Sequence, residues 1–464
     1  MIRWLVGFLL LLAIAAGLTY YFAGRGAPPV ITINKPDRVV GQTGSIDVTV
    51  QAPNARLNEL TIALEQDGKT VPLYALNGAE PLATVTTVDR DHLKITRPIG
   101  RQSVPGLKSG AAKIVVSATR PSILNLRTLS SSASKEFQVR LEPPRIAVLS
   151  SKHYVNHGGS EFVIYKVTTP DRGAGAPGGD NVASGVRVGE VEYSGFPIGA
   201  DMMGAFFALL HDQDLNARIA AFARDEAGNE SKATFVDNVF EKAFKKSRIE
   251  LDDKFINRVV PDIIEHSPEL KMSPPAEGSP DMLPAFVRVN SELRKINADE
   301  IAAFAKKTSA ARLWTEPFVQ LGNSKVEASF ADHRTYFYNG KEVDRQTHLG
   351  FDLAVTEHVP VVAANEGVVL NASWLGIYGN CVILDHGMGV QSLYGHLMSF
   401  DVKVGDRVTR GQQIGRSDST GLAGGDHLHF TMLVGGRMVN PVEWWDSHWI
   451  SDRVNRKLAE AGVK

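Results

Sequence analysis

From Trp4 to Gly24 no side chain is charged, and most positions are Leu, Ile, Val, Ala, Phe or Tyr. A helix over this stretch is about 30 Å long, the thickness of a bilayer's hydrocarbon core. Tyr20, Tyr21 and Phe22 stand where an aromatic belt meets the far interface. The apolar region of a cleaved signal peptide is shorter, about 7–15 residues, so residues 1–27 read as an uncleaved transmembrane signal anchor. Arg3 precedes the span while Arg25, Lys35 and Arg38 follow it, which runs against a plain count of positive charges on the inner side. The short head before a long apolar run is nevertheless built like an export signal. The expectation is a single-pass inner-membrane protein with its bulk in the periplasm.

Beyond the span the hydrophobic period falls to two, the mark of half-buried strands. Within 28–142, Ile46, Val48 and Val50 alternate with Asp47 and Thr49, and Leu60, Ile62 and Leu64 alternate again. Asp67-Gly68 then precedes Val71 and Leu73, a hairpin signal with a turn that accepts positive φ. Residues 113–118 and 136–142 add strands, and Pro143-Pro144 closes the segment. Residues 143–237 read as a second β-domain, with strand-like runs at 146–149, 162–165 and 217–223 and a Gly/Pro-rich loop at 173–179. Its ending, 223–229, resembles the last hairpin of bacterial immunoglobulin-like modules, which implies a sandwich. His153 and His157 have no third ligand nearby in sequence and read as solvated loop residues.

From 238 the pattern predicts helices. Val239, Phe240, Ala243 and Phe244 follow helix spacing, Asp252-Asp253 precedes Phe255, Val259 and Val260, and 285–307 reads as a second helix beyond the Pro-rich break at 273–280. Residues 238–315 are expected to be a helical connector, or more sharply a lid over the site that follows. Strand patterns return over 316–446, and 447–464 is expected to be a tail helix. The fold class is thus mainly β and multidomain: a transmembrane helix, two β-sandwich-like domains, a helical connector and a C-terminal β-rich domain.

Composition narrows the function classes. Net charge is -1, which gives no basis for nucleic acid as a partner. The one cysteine, Cys381, excludes an intramolecular disulfide; inside the apolar run 381–384 it reads as a buried small hydrophobe rather than a nucleophile.

Histidine is concentrated instead: eight of thirteen lie between His333 and His448. Read as a strand, 347–354 turns Leu349, Phe351 and Leu353 inward and His348, Gly350, Asp352 and Ala354 to the other face, with Gly350 leaving a gap an ion can occupy. In 426–432 the same alternation sets His427 and His429 side by side, able to divide metal binding and proton handling between them. Tyr394-Gly395-His396-Leu397 ends another apolar strand and brings a further imidazole. Two His and one Asp around an open fourth position make a catalytic zinc arrangement. Such an ion activates water and polarises a carbonyl, with nearby imidazoles moving protons and stabilising an oxyanion. His386 reads as a turn residue, and His333, His358 and His448 take no role.

These residues resemble the lysostaphin-type (LytM-like) zinc metallopeptidases, which cleave peptidoglycan peptides. The family's His-x-Gly-x-Asp stands as His348-Leu349-Gly350-Phe351-Asp352, its His-x-His as His427-Leu428-His429, and its Tyr-x-His-Leu as 394–397. Residues 364–369, 378–380, 404–408, 420–421 and 439–441 follow in the family's order. The resemblance implies a β-rich peptidase domain over 316–446 with an open groove and the Gly-rich run 421–425 in one wall. It implies Zn2+ held by His348, Asp352 and His429, with His427 as general base and His396 as transition-state stabiliser. Thr431, where relatives are often acidic, and the loop 422–426 depart from the common pattern; neither is expected to touch a ligand. The implied function is hydrolysis of peptide cross-links in bacterial peptidoglycan by a metal-activated water. The alternatives are a non-catalytic wall-binding scaffold or activator of other wall hydrolases, and an adhesin built on the β-domains. A biotinyl or lipoyl carrier, which the hairpins at 402–415 also suit, lacks its lysine at a turn tip. The β-domains are expected to space the enzyme from the membrane and to offer surfaces to envelope proteins.

Overall fold

The computed structural model describes residues 2–23, 26–52, 56–78, 82–89, 91–122, 125–170, 181–199 and 201–463. The loop expected at 173–179, and Gly24 at the end of the apolar run, lie outside them. Contacts divide the chain into two compact units.

One unit comprises Met1–Arg145, Thr168–Val182 and Ala223–Ser231. It opens with the helix Ile2–Ala23, of which Arg3–Ala23 is long and apolar enough to cross a membrane. Two sheets follow. The first runs Val30–Lys35, Gly44–Gln51, His92–Ile99, Thr84–Asp89; the second runs Val39–Val40, Thr128–Val139, Gly110–Pro121, Glu59–Gln66, Lys69–Ala75. The period-two pattern makes the sandwich. Ile46, Val48 and Val50 from one sheet and Leu60, Ile62, Leu64, Ile114 and Val116 from the other are buried in one core. Each such side chain stabilises by roughly 1.5–3 kcal/mol. Asp67 and Gly68 have φ of 50° and 73°, so the two-residue turn follows the twist of the hairpin it closes.

The other unit comprises Ile146–Val167, Ala183–Phe222 and Lys232–Lys464, so the boundary expected at 237 falls inside it. Strands Ser160–Thr168 and Met202–Ala208 pair antiparallel. Their inner side chains meet the C-terminal domain in a shared core: the Phe206 ring lies tilted 5.6 Å from Trp444 and 6.2 Å from Trp314, and Phe318 lies 5.5 Å from Trp444. Polar groups cross the same seam. The Glu443 carboxylate accepts from Asn156 Nδ2 at 2.7 Å and Ser160 N at 2.6 Å, and Lys457 Nζ donates to buried Glu161 at 2.8 Å.

Residues 238–240 and 246–251 are strands joined by an irregular stretch over 241–245, not the helix suggested by the spacing of Val239, Phe240, Ala243 and Phe244. Asn238–Phe240 pairs parallel with Tyr154–Asn156, and Lys246–Leu251 pairs parallel with Asp332–Tyr338. Short apolar runs fit either period, and tertiary pairing decides. Helix does follow over Asp253–His266, capped by Asp252, whose carboxylate accepts from Phe255 N at 2.7 Å. It resumes as Met282–Arg288, Val289–Leu293 and Arg294–Phe304, the middle piece a π turn. Ile256, Val260, Ile263, Phe286 and Leu293 bury against Ile377, Cys381 and Leu393 of the C-terminal domain.

That domain is built on an antiparallel sheet ordered Lys325–Ala328, Phe351–Ala354, His427–Val434, Val390–Phe400, Asn380–Asp385, Gly367–Trp374, Arg407–Val408. Short helical pieces, Ser447–Trp449, Ile450–Asn455 and Arg456–Glu460, close the chain. Cys381 is fully buried and burial pushes its thiol up.

Three histidines differ from the sequence reading. His153 is buried rather than solvated, with Nε2 2.9 Å from Ser150 Oγ. His157 is half-buried against Phe244. His386 is a core residue rather than a turn residue, bonded to Glu366 O at 2.6 Å and Ser392 Oγ at 2.7 Å. For His153 and His386, strand packing, invisible locally, supplies hydrogen-bond partners that replace water; for His157 tertiary packing supplies a ring contact.

Candidate metal centre

The polar motifs sit on three neighbouring strands. The central one, His427–Val434, pairs with Phe351–Ala354 on one side and Val390–Phe400 on the other. Register sets Asp352 opposite His429, Ala354 opposite His427, and Gly395 opposite His429. Leu428, Phe430 and Met432 are buried in the core, so alternation brings His427 and His429 to the other face.

His348 arrives by a different route. Residues 347–354 are not one strand: Lys341–His348 ends, Leu349-Gly350 breaks the run, and Phe351–Ala354 begins. The space beside Gly350 does not serve an ion directly. A Cβ there would lie 2.5 Å from His429 Cε1 and Nε2 and from Thr431 Oγ1, so the missing side chain makes room for the His429 ring.

Three atoms then converge. His348 Nε2 lies 2.9 Å from Asp352 Oδ1 and 3.1 Å from His429 Nδ1, and His429 Nδ1 lies 3.1 Å from Asp352 Oδ1. A tetrahedral ion with bonds of about 2.0–2.1 Å separates its ligands by roughly 3.3 Å, so the triangle fits Zn2+ with a small expansion. Outer partners set the lone pairs. His348 Nδ1 is 3.2 Å from the Ser329 carbonyl, which only accepts; the proton is on Nδ1 and Nε2 is left as a ligand. Thr431 Oγ1 donates to Leu349 O at 2.9 Å and therefore accepts from His429 Nε2 at 3.0 Å, leaving Nδ1 as a ligand. Thr431, expected to touch no ligand, is thus the residue that holds His429 in its tautomer. Asp352 Oδ2 accepts from Arg334 at 3.0 Å, and Arg334 also lies 3.4 Å from Asp332.

Electrostatics agree. Burial acts to raise the Asp352 carboxyl, but His348, His427 and His429 around it hold it well below the usual range. Burial pushes His429 down to about 4, against the pull of Asp352. Carboxylate and neutral imidazole are the forms that bind metal.

The remaining two imidazoles flank this triangle. His427 donates from Nδ1 to Gly425 O at 2.8 Å and brings Nε2 to 3.4 Å from Asp352 Oδ1. Burial lowers its pKa, but Asp352 outweighs that and raises it. His396 donates from Nδ1 to Thr420 O at 2.7 Å, and its ring lies 4.8 Å from that of His427. Burial first, then His427 and His429, keep it well below the ordinary imidazole value. The strand does not end near Leu397 but continues to Phe400. His396 has φ 61°, where register with Asn380–Asp385 shifts; the irregularity re-aims its side chain.

All five residues line one pocket of about 100 Å³ together with Arg294, Arg334, Tyr378, Leu422 and Gly424. Leu422 and Gly424 confirm the Gly-rich run as wall. Tyr378 stood in the 378–380 segment of the family resemblance, but Arg334 and Arg294 carry no sequence signal; an Arg in an alternating strand such as Asp332–Tyr338 looks like any solvated residue. His358, Asp418 and Asp426 also approach one another, but they are exposed to half-buried, and Asp426 is occupied by the His358 backbone N–H at 2.8 Å.

Residues 346–441 match the family model described as peptidase family M23. Over 95 residues the chain is 41% identical to the DD-carboxypeptidase/endopeptidase Mpg of Neisseria meningitidis serogroup B, covering 20% of this chain and 22% of that one. Over 96 residues it is 40% identical to the peptidoglycan DD-endopeptidase ShyA of Vibrio cholerae, covering 21% and 22%. It is also 39% identical over 95 residues to the murein hydrolase activator EnvC of Escherichia coli, covering 20% and 23%. The chain thus spans less than a quarter of the length of these relatives.

Proposed function

Because residues 346–441 form a peptidase family M23 domain, we propose that this chain is a zinc metalloendopeptidase that hydrolyses peptide cross-links of bacterial peptidoglycan. The observation that carries the proposal is the triangle of His348 Nε2, Asp352 Oδ1 and His429 Nδ1, each lone pair set by a second partner. Those three atoms would hold Zn2+. When bound, the ion lowers the pKa of water and polarises the scissile carbonyl.

The chain's own side chains do the rest. His427 Nε2 accepts the proton of the attacking water as general base and returns it to the leaving amine. Its Nδ1–H on Gly425 fixes that nitrogen for the task. His396, its Nδ1–H held by the Thr420 carbonyl, stabilises the developing oxyanion only as the imidazolium, the form with a proton on Nε2, which burial disfavours until negative charge develops beside it. Arg334 orients Asp352 through the oxygen that does not face the imidazoles. The helix Ile2–Ala23 anchors the protein in the inner membrane, with its bulk in the periplasm beside the wall, and the β-domains offer surfaces to envelope partners.

The test is digestion of purified cross-linked muropeptides by the full chain, with zinc chelated and then restored. The full chain is needed because residues 313–464 alone would expose Trp314 and Trp444. Cleavage that stops with chelation, returns with zinc and falls at least about 100-fold in His427→Ala supports the reading; undiminished cleavage by that variant removes the mechanism. The likeness to EnvC favours a second reading, in which the groove binds wall or partner without cutting. Zinc in the site with no hydrolysis would select it.

A further inference from the structure

We propose that the cavity beside the metal centre seats a free carboxylate of the substrate peptide on Arg294. This rests on the reading of the site as a peptidase and names the chemistry of what it takes. The cavity is about 490 Å³ and shares Arg294, Arg334, Leu422 and Gly424 with the pocket of the five metal-site residues. Only Leu422 and Gly424 of its lining belong to the family-matched residues; the rest comes from Lys246–Leu251, the two helical segments and the strand Asp332–Tyr338. What enters it is therefore chosen by parts of the chain that the family likeness does not cover.

Its charge balance favours an anion. Lys254, Arg258, Arg294 and Arg334 line it against Glu250 and Asp252. Both acids are engaged: Glu250 by Arg248 Nε at 2.5 Å, and Asp252 by Phe255 N in the helix cap. Arg334 is paired with Asp332 and Asp352, and Arg258 donates to the Ala423 carbonyl, which leaves its charge unbalanced. Arg294 meets no carboxylate among the described residues. Its Nε and Nη2 donate to Asn290 O at 3.1 Å and Asn290 Oδ1 at 2.8 Å. Those bonds hold the guanidinium in one orientation, and Nη1 is left without a hydrogen-bond partner among the described residues.

A guanidinium set in advance loses little freedom on binding, and charge-assisted pairing with a carboxylate is strong in a partly enclosed site. Because Arg294 also lines the pocket of the imidazoles, the carboxylate it holds belongs to a residue next to the bond being cut. Phe255, Phe286 and Tyr336 supply an apolar wall for the aliphatic part of that residue.

Paired peptide probes, identical except for a free carboxylate or its primary amide at that residue, test this. They are titrated into the zinc-loaded full chain carrying His427→Ala, which slows turnover. The acid should bind about tenfold tighter than the amide. Arg294→Gln should bring the acid down to the amide's affinity and leave the amide unchanged, while Arg294→Lys keeps part of the preference. Damage to the helix from losing the Asn290 bonds would weaken both probes alike, and that result, or equal binding of both probes with Arg294 intact, overturns the proposal. Acid preference with no cleavage by the unsubstituted protein keeps the Arg294 site and removes the peptidase reading. Equal cleavage and binding of both probes does the reverse.

Discussion

Thr431 Oγ1 stands 3.0 Å from Nε2 of His429 and donates its own hydrogen bond to the Leu349 carbonyl at 2.9 Å. The hydroxyl therefore acts only as an acceptor toward the imidazole, and the nitrogen that would bind the proposed metal is chosen two residues away. Thr431→Val keeps the shape and removes the acceptor. Zinc affinity, measured by competition with a chromophoric chelator, should fall about 10–100-fold with little change in far-ultraviolet circular dichroism. Unchanged affinity would show that the ring is held by packing alone.

Gly350 makes a second, steric prediction. A methyl there would lie 2.5 Å from the His429 ring and from Thr431 Oγ1, closer than any non-bonded contact. Gly350→Ala should push the ring off its position and cost roughly 100-fold in kcat/KM, the scale of a misplacement of about 1 Å. Wild-type rates in this variant would mean that the break at Leu349-Gly350 can absorb the shift.

The seam between the second β-domain and the C-terminal domain should melt as one. Trp444 is fully buried among Phe206, Trp314 and Phe318. Trp444→Ala should destabilise by about 3–5 kcal/mol and lower a single calorimetric transition shared by Ile146–Val167, Ala183–Phe222 and Lys232–Lys464. A transition that splits in two would refute a common core.

Glu443 ties this seam to pH. Burial is the main cause that raises its carboxyl from 4.5 to about 7, against the bonds from Asn156 and Ser160. The folded state then holds a proton that the unfolded chain has released, so stability falls as pH rises. The contribution is complete below pH 4.5 and is lost as pH passes 7, at most about 3 kcal/mol for a shift of this size. His153 and His386, pushed down by burial to about 3 and about 4, act on the other limb: stability is present above pH 6.5 and is lost as acid charges them. Thermal melts should show the wild type losing stability between pH 5 and 8 while Glu443→Gln stays flatter over that window. Parallel curves for the two proteins would count against it.

The parts of this protein legible in the sequence are those that local chemistry determines. Period-two alternation identified Ile46, Val48 and Val50 as core, Asp67-Gly68 as a turn, and the shared face of His427 and His429, because a strand's side chains alternate whatever it pairs with. The His-rich motifs marked His348, Asp352, His396, His427 and His429 as candidates for one centre before any geometry was known. Pairing decided the rest. Residues 238–240 and 246–251 became strands because Tyr154–Asn156 and Asp332–Tyr338 lay beside them, and His386 became a core residue because Glu366 and Ser392 closed over it. Thr431, Arg334 and Arg294 gained their places from strands and a helix distant in sequence. A hydrogen bond between residues far apart in the chain leaves no periodic trace; only the fold, by bringing their backbones into register, makes one side chain answer to another.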